Sequence, residues 1–325
     1  MDKSDPDIVF DDKGVCNHCH QAQKSLKENK KKKKHDCLMG LSGGVDSSTT
    51  LHYLVHAGFN PLCFTLDNGY NDPRADENVR KMVRKLGLDH EIVRIDQAKY
   101  RDLQKAFIQS GVPNIEIPTD HILMAITYEM AAKHGIKKIY SGGNIATESI
   151  MPATWSYPAR DLVHIKDVYK RVIGKELTGL PVCSLLKWNY YKWIKRIKIC
   201  YLLDNFDYNR EESEQMLMRE YDFESTGEKH EENVFTKWFQ SFYLFEKFGI
   251  DKRKAHYSSL INSGQMTRSE ALEKLKRCPE YPELGIEHQT MRYGRHHHEY
   301  FKTDKNYDRI SKICRKIGNA VGRNR

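Results

Sequence analysis

Short apolar runs alternate with longer amphipathic stretches through the first half of the chain. Residues 36–41 form the first run, which stops at Ser42-Gly43-Gly44. A helical pattern begins at Asp46, with Leu51, Leu54 and Val55 at helical spacing and Gly58 placed to end it. Residues 61–66 read as the next buried strand, closed by Asp67-Asn68-Gly69. The pattern then predicts a helix over 75–86 stopping at Gly87, a strand over 91–95 and helical stretches near 101–109 and 120–134. A fourth strand follows over 138–141, closed by Gly142-Gly143-Asn144. Short apolar strands alternating with helices predict an α/β fold, a parallel doubly wound sheet with helices on both faces. Ligands of such sheets sit beyond the carboxyl ends of the strands. Three motifs fall there: residues 42–48, 67–69 and 142–148.

The ends of the chain have a different texture. Residues 7–20 read as a short strand, a turn at Asp12-Lys13-Gly14, and Cys16-Asn17-His18-Cys19. Residues 21–35 read as a solvated helix or a linker. After Pro181 the sequence becomes aromatic and basic, with helical stretches over 211–221 and 235–248. Thr267 with Glu270 three positions on has the signature of a capping box. Three segments result: an N-terminal Cys-x-x-Cys segment with a basic linker (1–34), an α/β nucleotide-binding domain (35–185), and a mostly helical substrate or partner region (186–325).

With 325 residues, 39% of them hydrophobic and 30% charged, the chain can bury a core and is not of disordered composition. Lys and Arg outnumber Asp and Glu by 53 to 44, which favours anionic partners. Residues 30–34 are consecutive lysines, so part of that excess reads as a solvated linker, and nucleic acid is not expected as a partner. No run approaches the ~18 apolar residues of a membrane span. Residues 1–12 lack a signal-peptide pattern, and a cytoplasmic location with no membrane partner is expected. Of eight cysteines only Cys16 and Cys19 are closely paired, which argues against a disulfide framework.

The string Ser42-Gly43-Gly44-Val45-Asp46-Ser47-Ser48 between a strand and a helix has the logic of a phosphate cradle. Gly43 and Gly44 let backbone N–H groups approach pyrophosphate oxygens, and the helix N-terminus favours negative charge. Ser42, Ser47 and Ser48 add hydroxyls. The Asp46 carboxylate would repel phosphate unless a divalent cation lay between, so Mg²⁺ is expected, with Asp46 as its first candidate ligand. The lysine of a Walker A loop is absent. The string resembles the PP-loop of the N-type ATP pyrophosphatases. That resemblance implies cleavage of ATP between the α- and β-phosphates and adenylylation of a substrate oxygen.

Further strings narrow the resemblance: Gly14-Val15-Cys16-Asn17-His18-Cys19, Asp67-Asn68-Gly69-Tyr70-Asn71, Pro118-Thr119-Asp120-His121, Gly142-Gly143-Asn144 with Thr147-Glu148, and Gly227-Glu228-Lys229-His230-Glu231. The last are residues 247–256 and Ser263-Gly264-Gln265-Met266-Thr267-Arg268. Together, from Asp5 to about Tyr281, they resemble the N-acetyl sugar amidotransferases of bacterial surface-polysaccharide biosynthesis. The resemblance implies conversion of a sugar acetamido group to an acetamidino group, with ammonia displacing AMP from the adenylylated amide oxygen. It also implies a nucleotide-activated sugar as substrate; UDP-linked diacetamido uronic acids and nonulosonic acids both fit. Ammonia would come from a separate glutaminase of the histidine-biosynthesis type with its cyclase-like companion, and no glutaminase nucleophile motif is evident in this chain.

Roles follow partly from residue chemistry and partly from this resemblance. Leu66, Asp67 and Asn68 end the second strand, where adenosine recognition or a second metal contact is expected; by itself Asp67 reads as an Asx turn. Gly142, Gly143 and Asn144 are expected to approach the nucleotide, and Glu148 to ligate Mg²⁺ or orient the amide. Lys229 would neutralise charge on departing pyrophosphate, with His230 beside it. Asp120, Lys252 and Arg253 are substrate-side candidates, with helix capping and solvated faces as their ordinary roles. Residues 30–34 and 252–254 are candidate docking surfaces for the glutaminase. Cys16 and Cys19 have the spacing of a Zn²⁺ knuckle but supply only two of four ligands, so His18, His20 or a distant cysteine would have to complete it. Relatives often carry another Cys-x-x-Cys just upstream of the Asp5-Pro6-Asp7 stretch, so a longer start or an incomplete site are the alternatives. His296-His297-His298 reads as a surface run. The competing readings are a PP-loop tRNA lysidine or thiolation enzyme, and a nucleotide-sensing subunit without catalysis.

Overall fold

The structure is a computed structural model that describes residues 4–30, 34–307 and 309. Helix α1 (Asn17–Lys30) follows a turn clasped by an antiparallel bridge between Phe10 and Cys16. The alternating core then runs β1 (Cys37–Gly40), α2 (Val45–His56), β2 (Pro61–Asp67), α3 (Pro73–Leu86), β3 (His90–Arg94), α4 (Gln97–Ser110), α5 (Ile117–Lys133) and β4 (Lys138–Ser141). Each sequence-predicted strand and helix of this stretch is present, with ends shifted by a few residues. Gly87 ends α3 in the left-handed region at φ 64°, where a residue without Cβ is favoured.

The sheet is parallel throughout, with strand order β3-β2-β1-β4 and a fifth strand, β5 (Lys198–Tyr201), outside β4. Alternation sorts each strand between two cores. Cys37, Met39, Cys63 and Tyr140 point into one cluster with Leu51 and Leu54 of α2 and Val79 and Met82 of α3. Leu38, Leu62, Phe64 and Ile139 point into the other, with Leu103 and Phe107 of α4 and Ile122 and Ile126 of α5. Burial on both faces explains why these strands read as continuous apolar runs.

After β4 come α6 (Ile145–Glu148), α7 (Leu162–Ile173) and α8 (Leu185–Asn189), which continues as a π-helix through Ile194 into β5. Helix α9 (Arg210–Tyr221) packs Leu217 and Tyr221 into the α2–α3 core. Helix α10 (Val234–Trp238) widens into a π-helix over Phe239–Lys247 that lays Trp238 and Tyr243 against the other face. It is followed by α11 (Arg253–Asn262), α12 (Arg268–Leu275) and α13 (Glu287–Arg292). The Thr267–Glu270 capping box is formed at the start of α12.

Three expectations are corrected. A boundary at residue 185 would cut the sheet, because β5 and the α2-facing helix α9 both come from beyond it. The single helix over 235–248 is an α-turn followed by π-turns. The three-histidine run is not all surface. His298 is buried, and its Nδ1 lies 3.1 Å from Nε2 of His164 between Tyr157 and Phe301.

Candidate active site

Chain order reverses between β1 and β4: the chain moves from β1 to β2 and β3 on one side, then returns to lay β4 and β5 on the other. Loops leaving β1 and β4 therefore diverge and open a crevice at the carboxyl edge. A cavity of about 640 Å³ occupies it.

The first wall is residues 42–47 and the first turn of α2. Gly43 sits at φ 79°, and a β-carbon there would lie 2.1 Å from the carbonyl oxygen of Ala75, so only glycine fits. Gly44 is the N-cap of α2 and supplies no side-chain cap, so the first N–H groups of the helix face the crevice as an anion site. The Ser42 and Ser47 hydroxyls lie 3.2 Å apart at the cavity edge. The loop after β4 rests on this turn, since a β-carbon on Gly142 would be 2.7 Å from the Ser47 nitrogen.

The second wall comes from distant sequence. The Lys229 ammonium is bonded to a carboxylate oxygen of Asp46, to Thr147 Oγ1 at 2.6 Å and to Glu148 Oε1 at 2.9 Å. Burial pulls this ammonium toward its neutral form, and Asp46 and Glu148 together outweigh burial, so its pKa lies above the ordinary lysine value. The other oxygen of Asp46 accepts from the Tyr208 hydroxyl. His230 follows at φ 66°, with Nε2 3.7 Å from Glu148 and its ring 5.5 Å from that of His256. Burial, then Lys229 and His256, hold the His230 imidazole well below its usual range; burial and Lys252 push His256 down to about 3. Both rings are neutral near pH 7.

A third group lines the cavity at the start of α5. Glu116 is buried, accepts from Thr236 Oγ1 at 2.9 Å, and is raised to about 8 by burial and by Asp120. Asp120 opens onto the cavity and is raised to about 6 by desolvation, which Lys252 partly opposes.

Of the residues singled out in the sequence, Ser42, Gly44, Asp46, Ser47, Leu66, Asn68, Asp120, Gly142, Gly143, Glu148, Lys229 and His230 line this cavity. Gly43 shapes the loop behind it, and Ser48 is buried in α2. Others lie elsewhere. Asp67 accepts from the backbone of Gly69 at 3.1 Å and from Arg94 at 3.2 Å, an Asx turn with an ion pair outside the cavity lining. Asn144 caps α6 through the Thr147 N–H. Arg253 is held bidentate by Asp251, and the Lys252 ammonium lies against Met151 Sδ, its pKa lowered by burial to about 8. Tyr208, Arg210, Glu232, Asn233, Thr236 and His256 went unassigned in the sequence; only Glu232, Thr236 and His256 stood in or beside a motif.

Hard oxygen donors from Asp46, Glu148 and Thr147 already converge on one cation, so this set fits Mg²⁺. A zinc site is not shown among the described residues. Cys16 and Cys19 make a knuckle-like N–H to Sγ contact of 3.4 Å, but His18 and His20 are engaged by Asp5 and Asp11. Among the described residues no cluster of three His, Cys, Asp or Glu ligands forms. Residues 31–33 of the lysine run lie outside the described residues. No helix among the described residues is long and apolar enough to cross a membrane.

Two family models match the chain. One, described as queuosine biosynthesis protein QueC, covers residues 36–157; the other, described as the C-terminal domain of LPS biosynthesis protein WbpG-like proteins, covers 232–303. Curated relatives include tRNA-specific 2-thiouridylase MnmA 2 of Fusobacterium nucleatum, 28% identical over 34% of this chain and 34% of that protein. Another is 7-cyano-7-deazaguanine synthase of Psychromonas ingrahamii, 26% identical over 34% of this chain and 56% of that protein. The chain thus spans between about a third and just over half the length of these relatives. An NH3-dependent NAD synthetase from Campylobacter jejuni aligns over 81% of this chain and 97% of that one at 14% identity, with a TM-score of 0.32, too low to carry an argument. The two family matches support both halves of the resemblance drawn from the sequence. The chain carries an ATP-utilising domain of the PP-loop type joined to a WbpG-like C-terminal segment.

Proposed function

We propose that this protein is an ATP-dependent amidotransferase that converts an acetamido group of a nucleotide-activated sugar to an acetamidino group, releasing AMP and pyrophosphate. One observation carries the reading. The segment matched to a surface-polysaccharide family begins at Glu232 and supplies Glu232, Asn233 and Thr236 to the same cavity as the phosphate loop. A sugar-facing wall and an ATP-facing wall then share one chamber.

In this reading Ser42, Ser47 and the first turn of α2 hold the pyrophosphate end of ATP. Asp46 and Glu148 would hold Mg²⁺, which neutralises phosphate charge. Lys229 stabilises charge developing on the leaving pyrophosphate. The amide oxygen attacks the α-phosphate, and ammonia then attacks the imidate carbon and expels AMP. Neutral imidazoles at His230 and His256 are able to accept the proton that the attacking nitrogen loses. The nitrogen source is a separate glutaminase with its cyclase-like companion, and the reaction is placed in the cytoplasm.

The test supplies ATP, Mg²⁺ and ammonium with a panel of N-acetylated nucleotide sugars. AMP and pyrophosphate should form together with a sugar in which NH replaces one oxygen, and glutamine should not substitute until a glutaminase is added. Stoichiometric ADP would overturn the assignment.

The relatives that thiolate tRNA give the second reading its support. Against it, no cysteine lines the cavity among the described residues. Burial raises the Cys63 and Cys183 thiols to about 12, far from the reactive thiolate range. Sulfur transfer to tRNA would favour it.

A further inference from the structure

Magnesium and the phosphates of ATP carry opposite charge, and the cavity floor has a place for each. The cation place is the oxygen bed of Asp46, Thr147 and Glu148, and the anion place is the first turn of α2 at Gly44. One short stretch puts a side chain of matching charge into both. Lys229 lies in the oxygen bed, 2.6 Å from Thr147 Oγ1 and 2.9 Å from Glu148 Oε1. Three residues on, Glu232 lies over the loop glycine. A β-carbon built on Gly44 would be 3.0 Å from the carboxylate carbon of Glu232 and 3.0 Å from its Oε1, and nothing else comes as near. The Ser42 hydroxyl, a cradle donor, borders the same place, 3.2 Å from Ser47 Oγ and 3.3 Å from the Gly44 nitrogen.

We propose that residues 229–232 are an internal occupant of the nucleotide site, with Lys229 in the cation place and Glu232 in the anion place, and that these side chains leave the two places, Lys229 turning toward the phosphates, as magnesium pyrophosphate or ATP seats. The inference rests on reading residues 42–48 as a phosphate cradle. The backbone is built for such a movement. Downstream the stretch is tethered: Asp72 N donates to Glu232 O at 3.0 Å, and Val234 N to Tyr70 O at 2.8 Å. Upstream, Gly227 sits at φ 103°, and Lys229 is followed by His230 at φ 66°, a left-handed position uncommon for any residue with a side chain and one that withdrawal can relieve. The occupant and the ligand compete for the same two places. Apparent affinity is therefore reduced by the fraction of molecules whose site is vacated.

The experiment titrates the full-length chain with pyrophosphate and Mg²⁺ by calorimetry, using wild type, Glu232→Gln and Glu228→Gln. The Glu228→Gln control removes the same charge from the same loop, at a residue that does not contact Gly44. Glu232→Gln should tighten binding by about tenfold, and Glu228→Gln, at a residue that lines the same cavity away from Gly44, by much less. Stopped-flow binding to wild type should level off at high pyrophosphate, limited by withdrawal, and should level off at a higher rate in Glu232→Gln. A further measurement needs no variant: amide exchange over 229–233 in wild type should change when magnesium pyrophosphate is added. Unchanged exchange, equal or weaker binding by Glu232→Gln, or the same tightening in both variants would overturn the proposal. Absence of pyrophosphate binding in all three proteins would overturn the cradle reading, and this proposal with it. Binding that Glu232→Gln fails to tighten would sink the occupant alone.

Discussion

Ser42, Gly44 and Ser47 on one side of the cavity and Lys229, His230 and Glu232 on the other are held in place by different means. The first group is local. Seven consecutive residues join a buried strand to a helix, and the backbone itself supplies the donors. Gly43 and Gly142 are fixed by close backbone approaches that no side chain would survive. The second group is assembled across long separations: Lys229 meets Asp46 from 183 residues away, and Tyr208 meets it from 162. Its electrostatics follow from burial among opposite charges rather than from helix geometry. A backbone site tolerates little change in shape, whereas a site built from ion pairs is sensitive to charge and pH.

That contrast can be broken or sharpened. Asp46 belongs to both walls, so Asp46→Ala should have the largest effect, lowering AMP formation by roughly 10³-fold, the scale expected for losing a preorganised charge contact. A folded variant with near wild-type turnover would mean that the two walls do not form one site. Lys229→Ala, which touches only the distant wall, should cost roughly 10²-fold in turnover. It should also lower the melting temperature, because Asp46 and Glu148 are left facing one another without their cation. Equal melting temperatures would show the carboxylates to be solvated instead.

A smaller effect is expected at Glu116, whose folded pKa of about 8 lies above its unfolded value near 4.5. The folded protein there holds a proton that the unfolded chain has released, so stability falls as pH rises from about 4.5 through 8. Glu116→Gln removes that dependence. Its advantage in unfolding free energy should widen by on the order of 1 kcal/mol per pH unit in that window and then flatten. A constant offset would place the carboxyl in contact with bulk water. The smallest effect should come from Asp67→Ala, which removes a turn and an ion pair with Arg94 outside the cavity lining. Its cost should be below about 1 kcal/mol in stability, with the apparent affinity for ATP unchanged. Marked weakening of ATP binding would restore Asp67 to the site.

The sequence was most legible where the signal was local. The four strands read from apolar runs are all present, and Gly87 and the Thr267–Glu270 pair mark helix ends where they were expected. It was least legible in Lys198-Ile199-Cys200-Tyr201. This strand has only four residues, lies at the sheet edge and buries none of them fully, so its pattern carries little periodic signal. Asp67 and Arg253 show the converse error. Each has the right chemistry at a plausible place, yet each is satisfied by a neighbour within its own turn or across the adjacent strand.

By itself the sequence determined the parallel sheet, the carboxyl-edge location of the site and the phosphate loop, because these depend on strand burial, glycine conformation and helix ends within a few residues of one another. Only the tertiary structure decided that Lys229 stands between Asp46 and Glu148, that Glu232 lies over Gly44, and that His230 and His256 are neutral neighbours. Those relations depend on β5 and α9 completing the sheet and its core, and on the loop after α9 folding back over the crevice. Distances between charges and the depth of their burial are set by packing across the whole chain, which spacing along the sequence does not encode.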